Sequence, residues 1–372
     1  MLKFRIEKVP APFWMRILIP VAAVLVTFLL TSILVLLAGA DPLKAFYYFL
    51  ISPLSSQVSA IEVLVKSTPL LLTGAAVAFA FSAGYWNIGA EGQLYAGALV
   101  GAWLGIVLQG VSPVVGIPLM ILGGFVGGAL WALVPALLKV KWNVDEVVTT
   151  LLLNSVILFI VSYFLNGPWR NPVSMWPQSP EIASGTVFFK LIPRSRLHFG
   201  FIIAVVVILV EWFVLARTSL GLRMRAVGLG KDAARFAGIP VGRTMLTAAL
   251  VSGGIAGLAG VGEVAGIHFH LIDAISEGLG YTGIIIATLG ALNPLGVGIS
   301  ALFIGLIDTG AQSVSRALGV PSYLGDVVQS ALLLVVLGMF LLQNYRIRRV
   351  QPSAGDNVTP PGALAEEAKE LR

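Results

Sequence analysis

The sequence contains no cysteine, which excludes disulfides, iron–sulfur clusters and thiol chemistry together and leaves the compartment unset by redox. Charge is also scarce. Asp, Glu, Lys and Arg make up 11% of the chain, against about 25% in an ordinary soluble domain. No G-x-x-x-x-G-K-[ST] segment occurs, so the chain has no phosphate-binding loop of that kind and no route to ATP hydrolysis through one. Any energy taken from ATP has to enter through a separate subunit.

What fills the space left by charge is apolar. Hydrophobic residues are 57% of the 372 positions and the mean hydropathy is +0.93. Apolar runs recur from end to end, each long enough to cross a hydrocarbon core of about 30 Å at about 1.5 Å per helical residue. Barrel strands would read as short alternating segments between turns, so the spans are expected to be helices. The first run ends in "AGA" (Ala38 to Ala40), a peptidase-like trio, but an apolar core of roughly 20 residues is too long for a signal segment. It is expected to stay as the first span.

Ten spans are expected, at 17–39, 62–82, 90–109, 113–138, 146–165, 199–216, 244–266, 281–292, 296–313 and 324–343. Ten crossings return both termini to one face, and basic residues near span ends identify it as cytoplasmic. On that face fall Lys3, Arg5, Lys8, Arg16, Lys139, Lys141, Arg217, Arg223, Arg225, Lys231, Arg235, Arg243, Arg346, Arg348 and Arg349. The other face holds Lys44, Arg170, Lys190, Arg194, Arg196 and Arg316. The net charge of +6 is therefore a topology signal and needs no acidic partner. The eighth span is only about a dozen residues before "NPLG" (Asn293 to Gly296), short enough to be tilted or part of a broken helix.

The fold class is thus an all-α polytopic membrane protein. Residues 1–16 form a cytoplasmic segment, 17–345 the transmembrane domain, and 346–372 a cytoplasmic tail that is polar enough to be disordered. Within the domain, 166–198 is an outer loop rich in Pro and Trp, and 217–243 is a cytoplasmic loop. Five spans per half would make any internal repeat inverted.

Polar residues inside apolar runs are the candidates for function, because a carboxylate near the centre of a span costs about 2.5 to 3.5 kcal/mol on insertion scales. In "GYWNIGAEGQLYAGA", Asn87, Glu91 and Gln93 lie among glycines that let backbone break or approach closely. Two readings stand for Glu91: it lines a solute path, or it is solvated at an inner turn or caps the third span. Asn154 sits inside the fifth span and has to find a partner helix or water. Asp145 and Glu146 favour the start of that span. Glu62, Lys66, Glu263, Asp308 and Asp326 fall near span ends, where long side chains snorkel, and form no evident relay. The "HFH" of His268 to His270 lacks a third metal ligand and reads as interfacial.

The cytoplasmic loop "RTSLGLRMRAVGLGKDAARFAGIPVGR" holds a short helix at 232–238, with Asp232 as N-cap or first-turn acid and Gly238 with Pro240 as the stop. Arg223 and Arg225 form a basic lead-in. Such a Gly-flanked helix is a knob for a cytoplasmic partner, or its arginines serve only topology and lipid headgroups.

That loop resembles the coupling-loop motif of ABC importer permeases of the branched-chain amino acid, ribose and nucleoside group. "GYWNIGAEGQLYAGA", "VDEVVTTLLLN" (Val144 to Asn154) and "GLGYTGIIIATLGALNPLG" (Gly278 to Gly296) are similar to segments of its nucleoside branch. The family usually has Asn where this chain has Gly230, which leaves capping to Asp232. The resemblance implies a non-enzymatic, multi-pass permease subunit in the cell (inner) membrane, moving nucleosides or related simple sugars by alternating access. It implies a cytoplasmic ATPase that binds the ATP and Mg, a second related permease chain and an extracytoplasmic solute-binding protein, with no cofactor in this chain and no nucleic-acid partner. Arg223, Arg225, Asp232 and Arg235 become coupling candidates, and Asn87, Glu91, Gln93, Asn154 and Tyr281 path candidates. The competing class is an ion-coupled secondary transporter of a small polar solute, for which Glu91 would be the ion site.

Overall fold

The computed structural model describes residues 3–8, 13–171, 174–321 and 345–350, with 323, 324, 326–328, 330, 331, 334, 335, 338 and 339 between the last two. The tail from 351 onward lies outside the described residues, and the expected tenth span at 324–343 lies partly outside them. In lipid every backbone group has to be satisfied within the protein, and helices do this locally. The described chain is helical accordingly: α1 (Phe13–Leu37), α2 (Pro42–Leu50), α3 (Gln57–Ser82), α4 (Ala90–Val107), α5 (Pro113–Trp142), α6 (Glu146–Asn166), α7 (Gly200–Arg217), α8 (Ser219–Leu229), α9 (Lys231–Phe236), α10 (Val241–Glu263), α11 (Leu279–Leu289) and α12 (Pro294–Leu318). Two short strands, β1 (Lys3–Lys8) and β2 (Tyr345–Val350), pair antiparallel and bring the two ends of the helical region together.

Among the described residues six segments are long and apolar enough to cross a membrane: α3, α5, α6, α7, α12, and α10 with its extension to His268. Val21–Leu37 within α1 and Leu279–Leu289 are shorter apolar helices. The chain is therefore a polytopic membrane protein. Helix starts follow local chemistry. Asp145 accepts the N–H groups of Val147 and Val148 at the head of α6, and Asn293 accepts that of Leu295 at the head of α12, where Pro294 occupies a position that needs no donor.

At the centre, α10 packs against α3, α4 and α5, and it meets α4 and α5 through glycine. A Cβ at Gly97 would collide with the Gly257 backbone, and one at Gly128 with Gly253 and Gly257. Helices in lipid gain from dispersion rather than from water release, so small residues that permit backbone contact hold such a core together. The 167–199 connection covers the face where α4 and α10 end, with Ala183 N donating to Gly105 O and Phe188 N to Ala265 O. α8 and α9 lie at the opposite face, between the end of α7 and the start of α10.

The chain between α10 and α12 is a broken span. A five-residue π-turn, Val264–His268, ends in a left-handed Phe269. Residues 269–278 are then irregular, and α11 follows with 11 residues. At about 1.5 Å per residue α11 reaches roughly half of a hydrocarbon core. The irregular backbone before it has polar groups that are met by neighbours. Leu271 N donates to Ser179 Oγ, Ser179 N to Leu271 O, and Tyr95 Oη to Asp273 O. Non-helical backbone at membrane depth is tolerated where it is buried in protein or lines a cavity, and this segment does both.

Candidate functional site

The polar residues of "NIGAEGQ" are buried in one knot at mid-bundle. Asn87 Nδ2 donates to Gln93 Oε1 at 2.8 Å and to Ser252 Oγ at 2.8 Å, while Gln93 Nε2 returns a bond to Asn87 Oδ1 at 3.0 Å. Ser252 lies midway along α10 and donates to Ala76 O of α3. Asn87 also caps the turn before α4 by accepting Gly89 N at 2.9 Å.

Glu91 has different partners from those its neighbours in sequence offered. Asn87 and Gln93 pair with each other, and Glu91, 4% exposed in the first turn of α4, reaches across to the head of α11. Its two oxygens accept Gly278 N at 3.1 Å and Gly280 N at 2.7 Å. At the α11 N-terminus Gly278 offers no capping side chain and Ser276 Oγ accepts only Leu279 N, so the carboxylate satisfies the Gly278 and Gly280 donors and sits at the positive end of the helix dipole. A solvated turn is therefore excluded for Glu91. It caps a helix, but α11 and not the third span. Gly280 allows this closeness, because a Cβ there would collide with Glu91 N and Cα.

Asn154, 1% exposed on α6, closes the knot. Its Oδ1 accepts Gly92 N at 2.9 Å, and its Nδ2 donates to Ile88 O and to Tyr281 Oη, both at 3.0 Å. Tyr281 is 41% exposed and is the one member of the set that reaches a surface. All five path candidates from sequence thus converge on the meeting point of α4, α6, α10 and α11.

The open polar volume lies elsewhere, beside the broken span. A cavity of about 440 Å³ is lined by residues of α3, the π-turn, 272–279, α12 and the segment after it, among them Lys66, Arg196, Glu263, His268, Glu277, Asp308, Gln312, Tyr323 and Asp326. Sequence reasoning scattered Lys66, Glu263, Asp308 and Asp326 over separate span ends as snorkelling groups; the fold draws them into one enclosure. Arg196 also forms an ion pair with Glu62. Glu263 Oε2 stands 3.6 Å from His268 Nε2. The available signal was the polar spacing on two apolar helices, Glu62 and Lys66 on α3 and Asp308 and Gln312 on α12, each pair four apart and so on one face. Among the described residues no group of three or more His, Cys, Asp or Glu is placed to hold a metal.

On the opposite face the 217–243 loop is two helices where one was expected. Arg223 and Arg225 belong to α8, and α9 is a separate helix of six residues. Asp232 does not cap it: Gly230 is the N-cap and offers no side chain. Asp232 instead lies in the first turn, 3.5 Å from Arg235, and both are well exposed. Such a surface pair contributes little to stability. Arg223 reaches back to Ser219 Oγ at 3.3 Å, and Arg225 lines a cleft with Trp212, Leu229 and Asn293. Leu229 and Phe236 are 91% and 98% exposed, an unusual state for large apolar groups on a face that meets water. Gly228 of α8 abuts the Ser82 carbonyl and Gly84, and Gly84 has φ +65°. The loop face is thereby in backbone contact with the connection that leads to Asn87 and Glu91.

Comparison with known proteins gives the family. The chain is 34% identical over 368 residues to a glucose ABC transporter permease of Haloferax volcanii, covering 96% of each protein. It is 32% identical over 292 residues to a guanosine ABC transporter permease of Bacillus subtilis, covering 78% of this chain and 82% of that one. A nucleoside ABC transporter permease of Lactococcus lactis is 30% identical over 337 residues, with 88% and 92% covered. Each of these organisms contributes a second permease at 27 to 28% identity. The family described as branched-chain amino acid transport system / permease component matches residues 59–337, so this chain, a multi-pass membrane protein, belongs to that family of ABC transporter permeases.

Proposed function

We propose that the chain is the membrane subunit of an importer for nucleosides or related simple sugars, working by alternating access under a separate ATPase. The cavity beside the broken span carries this reading. Its volume of about 440 Å³ falls within the range of about 300 to 1,000 Å³ typical of small-molecule sites. Glu263, Glu277, Asp308 and Asp326 outnumber the fixed cations Lys66 and Arg196, a balance unsuited to a phosphate ester, and their oxygens offer acceptors for hydroxyl groups. The names of the relatives, for guanosine, nucleosides and glucose, support the same cargo class.

The ten-crossing topology with both ends cytoplasmic is supported by the pairing of β1 with β2. It is also supported by the broken span, which crosses completely once 269–278 is counted with α11. Counting five spans per half, α4 and α11 hold corresponding positions, third in each. Their N-termini meet at mid-bundle, an arrangement expected of short or broken helices in an inverted repeat. The 1–16, 17–345 and 346–372 division follows from this topology.

α8 and α9 are proposed as the contact for the ATPase, which supplies the ATP and Mg site. Leu229 and Phe236 would fill apolar pockets there, while Arg223, Arg225, Asp232 and Arg235 set orientation. The Gly228 contact with Ser82 and Gly84 offers a route by which a push on α8 moves the α4 head and, through Glu91, α11. Asn87, Gln93, Asn154 and Tyr281 then act as the joint of the path rather than its walls. Paired relatives in three organisms support a second, related permease as partner, and an extracytoplasmic binding protein would deliver cargo to the cavity face.

The test is uptake of labelled guanosine, uridine and glucose by the assembled importer in vesicles. Uptake of at least one that needs ATP and survives collapse of the proton gradient supports the reading. Uptake that follows an ion gradient at constant ATP overturns it in favour of a secondary transporter. Crosslinks from Phe236→Cys should land on the ATPase, and crosslinks only to lipid would remove α9 from the coupling role.

A further inference from the structure

Within the cavity, one pair of side chains is placed by an uncommon piece of backbone. In a continuous α-helix residues five apart point about 140° away from one another. Glu263 and His268 are five apart, yet Glu263 Oε2 and His268 Nε2 come within 3.6 Å. The π-turn over Val264–His268 makes this possible, because its wider coil sets residues five apart nearly one above the other. The turn is closed by Phe269 N donating to Val264 O at 2.9 Å.

The turn is also braced from behind. Phe188 N donates to Ala265 O, and the imidazole of His198 lies so close to Gly266 that a Cβ there would strike the ring. A π-turn is rarer and less favourable than the α-helix it interrupts, and such turns concentrate at functional sites. Here its effect is to aim a carboxylate and an imidazole into the same enclosed space.

A separation of 3.6 Å is too long for a good hydrogen bond. Neither group uses up the other, and the Glu263 carboxylate makes no hydrogen bond among the described residues. Both line the cavity, with Lys66 beside them, and their side chains are 11% and 32% exposed. A carboxylate accepts two O–H donors, and a neutral imidazole nitrogen accepts or donates one. Two such atoms side by side match a solute presenting two hydroxyls on adjacent carbons.

We infer that Glu263 and His268 form the subsite that reads a vicinal hydroxyl pair on the cargo, the ribose diol of a nucleoside or adjacent hydroxyls of a hexose. The inference rests on the cargo class proposed above and adds to it a specificity rule. A nucleoside lacking one of the two hydroxyls leaves part of a buried polar pair unpaired, which is penalised far more than a missing apolar group. The bases of the cargo need no distinction at this subsite.

The experiment measures ATP-driven uptake by the complete importer of uridine, 2′-deoxyuridine, guanosine, 2′-deoxyguanosine and glucose, with the wild-type chain and with Glu263→Gln, Glu263→Ala and His268→Ala. The binding protein is the same in every arm, so a change in the ratio of ribo- to deoxynucleoside between variants reports on the permease. In Glu263→Ala the KM for the ribonucleoside is expected to rise by about tenfold to a hundredfold, as for a lost charge-assisted bond, with that for the deoxynucleoside moving much less. Glu263→Gln, which keeps an acceptor, should retain part of the preference. A ratio unchanged in all three variants, or both substrates falling together, overturns the subsite even though uptake itself succeeds. If the wild-type importer moves none of the five, the cargo class fails and the inference falls with it.

Discussion

Glu91 Oε2 of α4 lies 2.7 Å from the backbone nitrogen of Gly280, and Oε1 lies 3.1 Å from that of Gly278, so one helix head caps another. Two N-termini that meet at mid-bundle would repel through their dipoles and leave donors unmet; a single carboxylate between them answers both problems.

Glu91→Ala should therefore leave the buried Gly280 N–H without an acceptor, at about 1 to 3 kcal/mol, and the part-buried Gly278 N–H at less. Glu91→Gln keeps one acceptor oxygen and should fall between. Thermal unfolding in detergent is expected to rank wild type above Gln above Ala, with ATP-driven uptake in the same order. A Gln variant as unstable as the Ala variant would show that the capping bonds do not set the energy.

Much of this was legible in the sequence, and the reason is chemical. A polar side chain inside an apolar run has to find partners, so Asn87, Glu91, Gln93, Asn154 and Tyr281 announced themselves and do converge. Their pairing was not legible. Asn87 with Gln93 and Glu91 with Gly280 depend on where α11 begins, 189 residues away in the case of the Glu91–Gly280 bond. The cavity was harder still. Lys66, Glu263 and Asp308 each fall near the end of an expected span, where a snorkelling role is the economical reading, and only the assembled bundle brings them together. The π-turn left no trace, since "GEVAGIH" continues the small-residue texture of α10. Capping by Asp232 failed because α8 and α9 are separated by one extended residue, Gly230, which takes the N-cap position, so that α9 starts at Lys231 and Asp232 falls inside its first turn.

Two glycines should respond to the same change to very different degrees. Gly280→Ala has to separate the heads of α4 and α11, because the new Cβ meets the Glu91 backbone, which cannot rotate away as a side chain would. Gly230→Ala meets nothing nearer than Ala233 Cβ at 3.8 Å, so its cost is confined to the poorer N-cap, at most about 1 kcal/mol. Gly230→Asn adds a capping side chain and should stabilise α9 by a few tenths of a kcal/mol. Yield of folded protein and melting temperature distinguish them, and a well-tolerated Gly280→Ala would refute the close contact.

At the foot of α5, Lys139 Nζ stands 2.6 Å from Glu146 Oε2, with the two side chains only 16% and 5% exposed. Removing one member of a buried pair strands the other charge, at about 3 to 5 kcal/mol, whereas replacing both with apolar groups is often near neutral. Lys139→Met should accordingly lower the melting temperature sharply. Lys139→Met with Glu146→Leu should recover most of the loss. A double variant as unstable as the single one would assign the effect to packing instead of charge.

His198 supplies a pH dependence. It is 1% exposed, its Nδ1 accepts Gly200 N at 3.1 Å, and burial pushes its pKa down to about 4 from 6.5. In the unfolded chain this imidazole takes up a proton below about pH 6.5, while in the folded chain it does so only near pH 4, so between those values the unfolded state binds more protons. The stability tied to His198 is thus complete above about pH 6.5, declines as the pH falls through that window, and changes no further once the folded-state group is also protonated. The ceiling is about 3 kcal/mol, since each tenfold change in proton affinity between the two states is worth roughly 1.4 kcal/mol. Melting temperature from pH 7.5 to 4 should fall more steeply in the wild type than in His198→Asn, which keeps an acceptor without a titrating group. Parallel curves for the two proteins would show that His198 does not govern the acid response.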